Sequence, residues 1–321
     1  MKQEDFLFLP KNTQNVKNII IRADSSSTIG TGHIMRDLVL AKRFNQKVVF
    51  ATRDLKGNIN YKIKEAGYEI AILKDNSYEE FSKLIRKYNP KMIVIDNYEI
   101  DYEFEKRLKK EFDITLMVLD DTYQKHYCDI LLNHNIYANA NCYKDLVPKH
   151  CELRCGKEYT LIRDEFIEAK KTLSKPLTLN SQLLVFIAMG GADHSNKNIE
   201  ILKVLEKFNN IKVNVVTTNA NKNLNKLKEY VKDKKWINLY IDANNIATIM
   251  KNSNLAIVTP SVILNEVFFM ELSFIAIKTA NNQEEMVKYL KDNNYLVLEE
   301  FDSKILYEVI KGKKWLMQKN H

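Results

Sequence analysis

The chain has 321 residues, of which 45% are apolar and 28% charged, and its net charge is +8. That length suits two domains of ordinary size, and the composition is that of a globular protein with material for two buried cores. Only 8 Gly and 5 Pro are present, which excludes a long flexible or collagen-like region, and the longest apolar runs, Met92–Ile95 and Leu183–Met189, have strand length and fall far short of a bilayer span.

Residues 1–16, MKQEDFLFLPKNTQNV, carry two acidic groups and no adequate apolar core. They read as an extension ahead of the first strand and not as a secretory signal, so the expected location is cytoplasmic. Disulfides are not expected there, and Cys128, Cys142, Cys151 and Cys155 read as free thiols. The C-x3-C pair at 151 and 155 lacks a compact second pair that would complete a zinc site. The positive charge raises the question of nucleic acid. The lysine pairs at 109–110, 170–171, 234–235 and 313–314 lie far apart, mostly in amphipathic patterns. They read as a solvated surface, with neither nucleic acid nor membrane insertion expected.

In chain order, strands are predicted at Asn18–Ala23, Val48–Thr52, Tyr68–Leu73, Met92–Asp96 and Ile114–Leu119. Helical patterns at His33–Phe44, Ile59–Ala66, Tyr78–Tyr88 and Tyr102–Phe112 separate them. This alternation predicts a parallel sheet covered on both faces. It pauses over residues 120–165, where the short strand Ile130–Leu132 stands among polar loops, and a lysine-rich helix then ends near Pro176. The linker is placed at about 168–180. The rhythm restarts with strands at Leu183–Ala188, Lys212–Val216, Asn238–Ile241, Leu255–Val258 and Phe274–Ile277. Helices are predicted at Asn198–Phe208, Asn221–Val231, Ile246–Asn252, Ile263–Leu272 and Gln283–Asn293, with a last one after Asp302. The expected architecture is α/β: two doubly wound Rossmann-like domains, at 17–168 and 180–300, followed by a helix and tail at 301–321. Open parallel sheets take ligands at the carboxyl ends of their strands, so the two domains are expected to face each other across a cleft that holds the site.

The first strand runs into RADSSSTIGTGH (22–33). Gly30 and Gly32 allow a tight turn and close approach to a ligand, and His33 then opens a helix. A helix N-terminus disfavours imidazolium, and a general base must be neutral. The alternative is a strand–helix turn carrying an incidental His. The spacing lacks the full dinucleotide fingerprint, and no acid ends the second strand. Gly190 and Gly191 follow the strand Leu183–Ala188 and suit a loop packed on phosphate or sugar, or an ordinary turn. The small polar residues Thr259 and Ser261 stand before a helix that begins in the run Ser261–Asn265, where backbone N–H groups can bind a diphosphate. Glu266, in the first turns of that helix, can accept two hydrogen bonds from a ribose diol, or is a simple helix acid. Asn282 and Gln283 suit sugar hydroxyl or acetamido groups, with an N-cap role as the alternative for Asn282. Tyr98 occupies the equivalent strand end in the first domain, and otherwise packs on the next helix. Asp120 and Asp121 are adjacent in sequence and point opposite ways in a strand, so no metal is expected there.

Taken together, these segments resemble the UDP-2,4-diacetamido-2,4,6-trideoxy-β-L-altropyranose hydrolases of pseudaminic acid biosynthesis, a pathway that supplies a sugar for flagellin glycosylation. The resemblance rests on RADSSSTIGTGHIMRDLVLAK (22–42), IDNY (95–98), LDD (119–121), CDILLN (128–133), LVP (146–148), CELRCG (151–156), LIRDEF (161–166), MGGAD (189–193), NEV (265–267) and NNQE (281–284). It spans about 18–298. It implies the GT-B architecture, similar to the UDP-GlcNAc transferase of peptidoglycan synthesis, with UDP in the carboxyl-terminal domain. Backbone at Ile241 is then expected at uracil, Glu266 at the ribose, and Gly190, Gly191 and the Ser261–Asn265 helix start around the diphosphate. The resemblance also implies that His33 activates water, that Tyr98 and Asn282 position water or sugar, and that no metal or cofactor is used. Ala192 and Pro260 depart from the family pattern and put the local loop shape in question. Water is expected to attack the anomeric carbon from the face opposite UDP, with inversion and an oxocarbenium-like transition state. A GT-B glycosyltransferase and a non-catalytic nucleotide-sugar binding module are the alternatives. No concentrated apolar basic patch for a lipid acceptor is evident in residues 22–60.

Overall fold

A computed structural model describes residues 18–172, 182–191, 193 and 195–317. Residues 1–16, most of the expected linker and Ala192 lie outside the described residues. The chain divides into two compact units between Leu161 and Ile162.

The first unit alternates β1 (Asn18–Ala23), α1 (Gly32–Ala41), β2 (Lys47–Arg53), α2 (Asn60–Glu65), β3 (Glu69–Leu73), α3 (Tyr78–Tyr88), β4 (Met92–Asp96), α4 (Tyr102–Glu111) and β5 (Thr115–Leu119), then adds β6 (Ile130–Asn133) and β7 (Glu152–Cys155). All seven strands are parallel, in the order β3-β2-β1-β4-β5-β6-β7. Runs such as Ile19–Ile21 and Met92–Ile95 are buried throughout, as both-faced strands must be. The core on one face gathers Ile34, Leu40 and Ile63 under α1 and α2, and that on the other gathers Phe81, Ile85 and Leu108 under α3 and α4. Helix boundaries follow local chemistry. Ser77 caps α3 by accepting from the Glu80 N–H, and Asn89 ends it in the left-handed conformation at φ 42°. Asp101 caps α4 in the same way through the Phe104 N–H.

The second unit begins with α5 (Asp164–Lys171), then alternates β8 (Leu183–Ala188), α6 (Lys197–Leu205), β9 (Ile211–Thr217), α7 (Leu224–Val231), β10 (Ile237–Ile241), α8 (Ile246–Lys251), β11 (Leu255–Val258), α9 (Val262–Phe269), β12 (Phe274–Ile277), α10 (Glu284–Asp292), β13 (Val297–Leu298) and α11 (Ser303–Lys311). Its six strands are parallel in the order β10-β9-β8-β11-β12-β13. Leu306, Val309 and Ile310 of α11 join its core, so the segment after residue 300 is part of this unit.

In each sheet the strand order reverses once, between β1 and β4 and between β8 and β11. Loops leaving the carboxyl ends of those neighbours diverge to opposite faces and open a crevice. The same reversal brings His33, which follows β1, beside Asp96 at the end of β4, and sets Gly190 after β8 near Ser261 after β11.

The structure differs from the sequence reading at three places. The lysine-rich helix, expected to run into the linker at 168–180, spans Asp164–Lys171 and starts the second unit. β7 and β13 were not expected: each is a short edge strand of four and two residues whose pattern is too brief to carry a period. β7 also separates Cys151 and Cys155 by four residues of extended chain, about 13 Å. The Cys151 sulfur lies instead 3.6 Å from that of Cys128, and all four cysteines are free.

Candidate active site

The loop from Asp24 to Thr31 is fixed before any ligand arrives. Ser26 and Gly30 exchange both backbone hydrogen bonds, and the Ser26 hydroxyl accepts from the Thr28 and Ile29 N–H groups. Gly30 sits at φ +88°, a conformation costly for other residues, with open space where a side chain would project. Gly32 is the first residue of α1. At the base of the loop, Asp24 accepts from the Arg22 guanidinium, the Arg53 N–H and Nε, and Asn97. Burial would raise the Asp24 carboxyl, but the Arg22 and Arg53 charges outweigh it and hold it at about 2.

His33 follows, 8% exposed. Its Nδ1 lies 2.7 Å from Asp96 Oδ1. Asp96 is fully buried and also accepts from Arg36, with Nε at 2.7 Å from Oδ2 and a terminal nitrogen on Oδ1. Arg36 stands one turn after His33 on α1, and its other terminal nitrogen donates to Asp121 Oδ2 at 2.9 Å. Asp121 in turn accepts from the Tyr98 hydroxyl at 2.6 Å. The Tyr98 ring closes the circuit edge-on against His33, with centroids 4.9 Å apart. Tyr98 is 52% exposed, so it keeps a face for a ligand. Burial favours the neutral form of Asp96, but the Arg36 charge and the hydrogen bonds from Arg36 and His33 hold it well below the usual carboxylate range. A charged Asp96 places the imidazole proton on Nδ1 and leaves Nε2 as the acceptor, the arrangement of a general base with an orienting carboxylate.

Asp120 turns the other way from Asp121. It accepts from the Thr122 N–H and hydroxyl, the Gln124 N–H and the Tyr143 hydroxyl. Among the described residues, no group of three or more His, Cys, Asp and Glu is placed to hold a metal ion.

In the second unit, Gly190 adopts φ +77° with open space where a side chain would project, and the Gly191 carbonyl accepts from the Thr217 and Thr218 hydroxyls. The start of α9 has no side-chain cap and no acid in its first turn. Ser261 at its N-cap shares a hydrogen bond with the Thr259 hydroxyl, 2.9 Å away, and gives α9 no side-chain cap, while its own N–H donates to the Thr259 carbonyl and the Leu264 N–H to the Ser261 carbonyl. Asn265 is buried on α9. Ile241 ends β10, an edge strand. Because the Asp242 N–H donates to Thr217 O opposite Ile241, the parallel ladder directs Ile241's own N–H and C=O away from β9.

Two residues, Glu266 and Gln283, have partners that their sequence context did not announce. Glu266 is 4% exposed, and its two oxygens accept from Arg163 Nε at 2.6 Å and a terminal nitrogen at 2.9 Å. The pair orients the carboxylate and leaves each oxygen a further lone pair. Gln283 is buried, and its amide oxygen accepts from the Thr279 and Ala280 N–H groups, so it secures the turn after β12. Asn282 is exposed within a short 3₁₀ turn, Asn281–Gln283, and is not the capping residue of α10. Asp96, Arg36, Asp121 and Arg163 were missed as functional candidates. The sequence signals for the first two were their place at a strand end and at i+3 from His33, and their position within the segments IDNY (95–98) and RADSSSTIGTGHIMRDLVLAK (22–42).

Two parallel α/β units of these topologies define the GT-B class of fold. Solved structures agree: Acinetobacter baumannii MurG aligns over 93% of this chain and 91% of its own, with TM-score 0.61 and 9% identity. Neisseria meningitidis UDP-GlcNAc 2-epimerase bound to UDP-GlcNAc aligns over 94% and 95%, with TM-score 0.63 and 9% identity. No protein-family model matches the chain. Among curated proteins, the UDP-2,4-diacetamido-2,4,6-trideoxy-β-L-altropyranose hydrolase of Campylobacter jejuni is 40% identical over 280 residues, 87% of this chain and 98% of its own. The Bacillus subtilis spore coat polysaccharide biosynthesis protein SpsG is 19% identical over 85% of this chain and 80% of its own. The chain belongs to the UDP-2,4-diacetamido-2,4,6-trideoxy-β-L-altropyranose hydrolase family.

Proposed function

We propose that the protein is an enzyme that hydrolyses UDP-2,4-diacetamido-2,4,6-trideoxy-β-L-altropyranose to UDP and the free sugar, without metal or cofactor, by attack of water at the anomeric carbon with inversion. The observation that carries the mechanism is the contact of His33 Nδ1 with Asp96 at 2.7 Å, which leaves Nε2 to take a proton from water. As that proton moves to Nε2, the water oxygen bonds to C1 and the C1–O bond breaks, its electron pair leaving with UDP. UDP is a good leaving group, so one base serves where inverting glycosidases use two carboxylates. Tyr98 and Asn282 position the water or the sugar.

The second unit is the UDP holder. Outward-directed backbone at Ile241 suits a uracil edge, and Glu266 the ribose diol. Gly190, Gly191 and the helix start from Ser261 to Asn265, through the Val262 and Ile263 N–H groups, suit the diphosphate, whose growing charge they stabilise as the bond breaks. Gln283 supports Asn282 by fixing its turn. No helix among the described residues is long and apolar enough to cross a membrane. We place the enzyme in the cytoplasm, in pseudaminic acid biosynthesis for flagellin glycosylation.

Incubation with the UDP-linked sugar, EDTA and no acceptor is expected to release UDP and free sugar in equal amounts. A requirement for an acceptor would make the protein a transferase, and loss of turnover in EDTA restored by Mg²⁺ or Mn²⁺ would end the metal-free mechanism. Glu266→Ala is expected to weaken UDP binding by about 1.5–3 kcal/mol, the worth of hydrogen bonds to a charged group, with a smaller effect on kcat. Unchanged UDP affinity by calorimetry returns Glu266 to a structural partnership with Arg163.

A further inference from the structure

We infer that Arg163 is a positioning residue for the nucleotide: its guanidinium takes one edge of the Glu266 carboxylate with two parallel hydrogen bonds and so fixes the plane in which that carboxylate meets the ribose diol. This rests on the reading of Glu266 as the ribose ligand. A glutamate side chain has three free torsions, and a diol that binds a loose carboxylate must order them itself. Here they are ordered beforehand. Arg163 Nε lies 2.6 Å from one Glu266 oxygen and a terminal nitrogen lies 2.9 Å from the other, the fork geometry that holds guanidinium and carboxylate in one plane. Each oxygen keeps a second lone pair, and two adjacent hydroxyls can take one each.

The guanidinium is itself held by more than Glu266. Its other terminal nitrogen lies 2.7 Å from a Glu165 oxygen, and its carbon lies 4.8 Å from the centroid of the buried Phe166 ring. Glu165 and Phe166 belong to the first turn of α5, directly after Arg163, so the helix that starts the second unit carries the support. α5 has a second tie to α9. Lys170 Nζ donates to the Phe269 carbonyl at 2.6 Å and to the Glu271 carboxylate at 2.8 Å. That tie holds the carboxyl-terminal end of α9 and touches no group assigned to UDP. The two ties therefore separate two roles. A brace that only keeps α9 in place would draw on both, whereas orienting the carboxylate needs Arg163 alone. Lysine cannot stand in for Arg163, because an ammonium is a point charge that sets no plane.

The test is calorimetry of wild type, Arg163→Gln, Arg163→Lys, Lys170→Met and Glu266→Ala with UDP and with 2′,3′-dideoxyuridine diphosphate, which lacks the diol. Each variant is checked for folding by circular dichroism. Arg163→Gln and Arg163→Lys should each bind UDP about tenfold more weakly or worse, as expected when hydrogen bonds to a charged group lose their geometry, and bind the dideoxy nucleotide as wild type does. In turnover their KM should rise with kcat little changed, since the ribose is gripped alike before and during bond breaking. Adding Arg163→Lys to Glu266→Ala should cost no further UDP affinity. Lys170→Met should bind both nucleotides as wild type does. Where Arg163→Gln does not fold, for want of a cation beside two carboxylates, Arg163→Lys keeps that charge and carries the test. Equal losses for both nucleotides in Arg163→Lys, wild-type UDP affinity in that variant, or an equal loss of UDP binding in Lys170→Met overturns the inference and leaves Arg163 a brace. If Glu266→Ala leaves the preference for UDP over the dideoxy nucleotide unchanged, the ribose reading itself fails, which separates that failure from failure of this inference.

Discussion

His33→Asn is expected to lower kcat by about 10²–10⁴-fold, the usual cost of removing a general base, while UDP affinity stays near wild type. The two readouts separate because the groups assigned to UDP all lie in the second unit, whereas His33 belongs to the first. Asparagine suits the test because it can keep a polar contact with Asp96 but offers no acceptor that takes a proton from water at neutral pH. The circuit of Arg36, Asp96, Asp121 and Tyr98 retains its own hydrogen bonds, so the variant should fold. More than a tenth of wild-type kcat in this variant, measured with saturating substrate, would refute the assignment.

Asp96→Asn should cost nearly as much, by about 10²-fold or more, although Asp96 touches no substrate in this account. Its two oxygens accept from His33 Nδ1 and from two nitrogens of Arg36. An amide has one acceptor oxygen, and its NH₂ group would oppose either the guanidinium or the imidazole N–H. If the amide keeps Arg36, His33 loses its orienting acceptor and the proton shifts toward Nε2, the atom that must accept from water. The variant also leaves part of a buried guanidinium unpaired, so a loss of stability is expected as well. Kinetics of the double variant with His33→Asn distinguish the two effects. A carboxylate that works through the histidine gives a double variant little worse than His33→Asn alone. Independent, multiplicative losses would mean that Asp96 acts on the fold and not on the base.

Much of the architecture was legible because the strands are buried on both faces. Runs such as Asn18–Ala23 and Met92–Asp96 are apolar, β-branched and bounded by polar loops, and both ends match the structure. Tyr78–Tyr88 was equally clear, because Ser77 and Asn89 mark its ends. β7 and β13 were not legible, since edge strands this short carry no periodicity of their own. The sequence reading left the lysine-rich helix across the boundary, because charge pattern marks a solvated face without saying which core the other face meets; Phe166 is buried on α5. At the candidate site, the loop glycines and His33 stand out in the sequence by their place after the first strand. Their partners do not. Asp96 reads as an ordinary strand-end acid until the sheet order sets β4 beside β1, and Glu266 reads as a first-turn acid until Arg163, about a hundred residues away, appears on both its oxygens. Contacts between distant segments come from topology, which a local pattern does not encode.

The most direct test of the account is which bond breaks. Attack at the anomeric carbon and attack at phosphorus give the same products, but the phosphorus route in proteins usually relies on a metal to neutralise phosphoryl oxygens and supply hydroxide. The proposed mechanism uses His33 as base with Asp96 as its orienting carboxylate, and backbone donors of the second unit for UDP, and it calls on no metal. Turnover in ¹⁸O-labelled water should therefore place the label in the anomeric hydroxyl of the free sugar, read promptly before solvent exchange, with none in UDP. The first sugar seen by NMR should have inverted anomeric configuration. Label recovered in the β-phosphate of UDP would contradict the mechanism, whatever the mutants show.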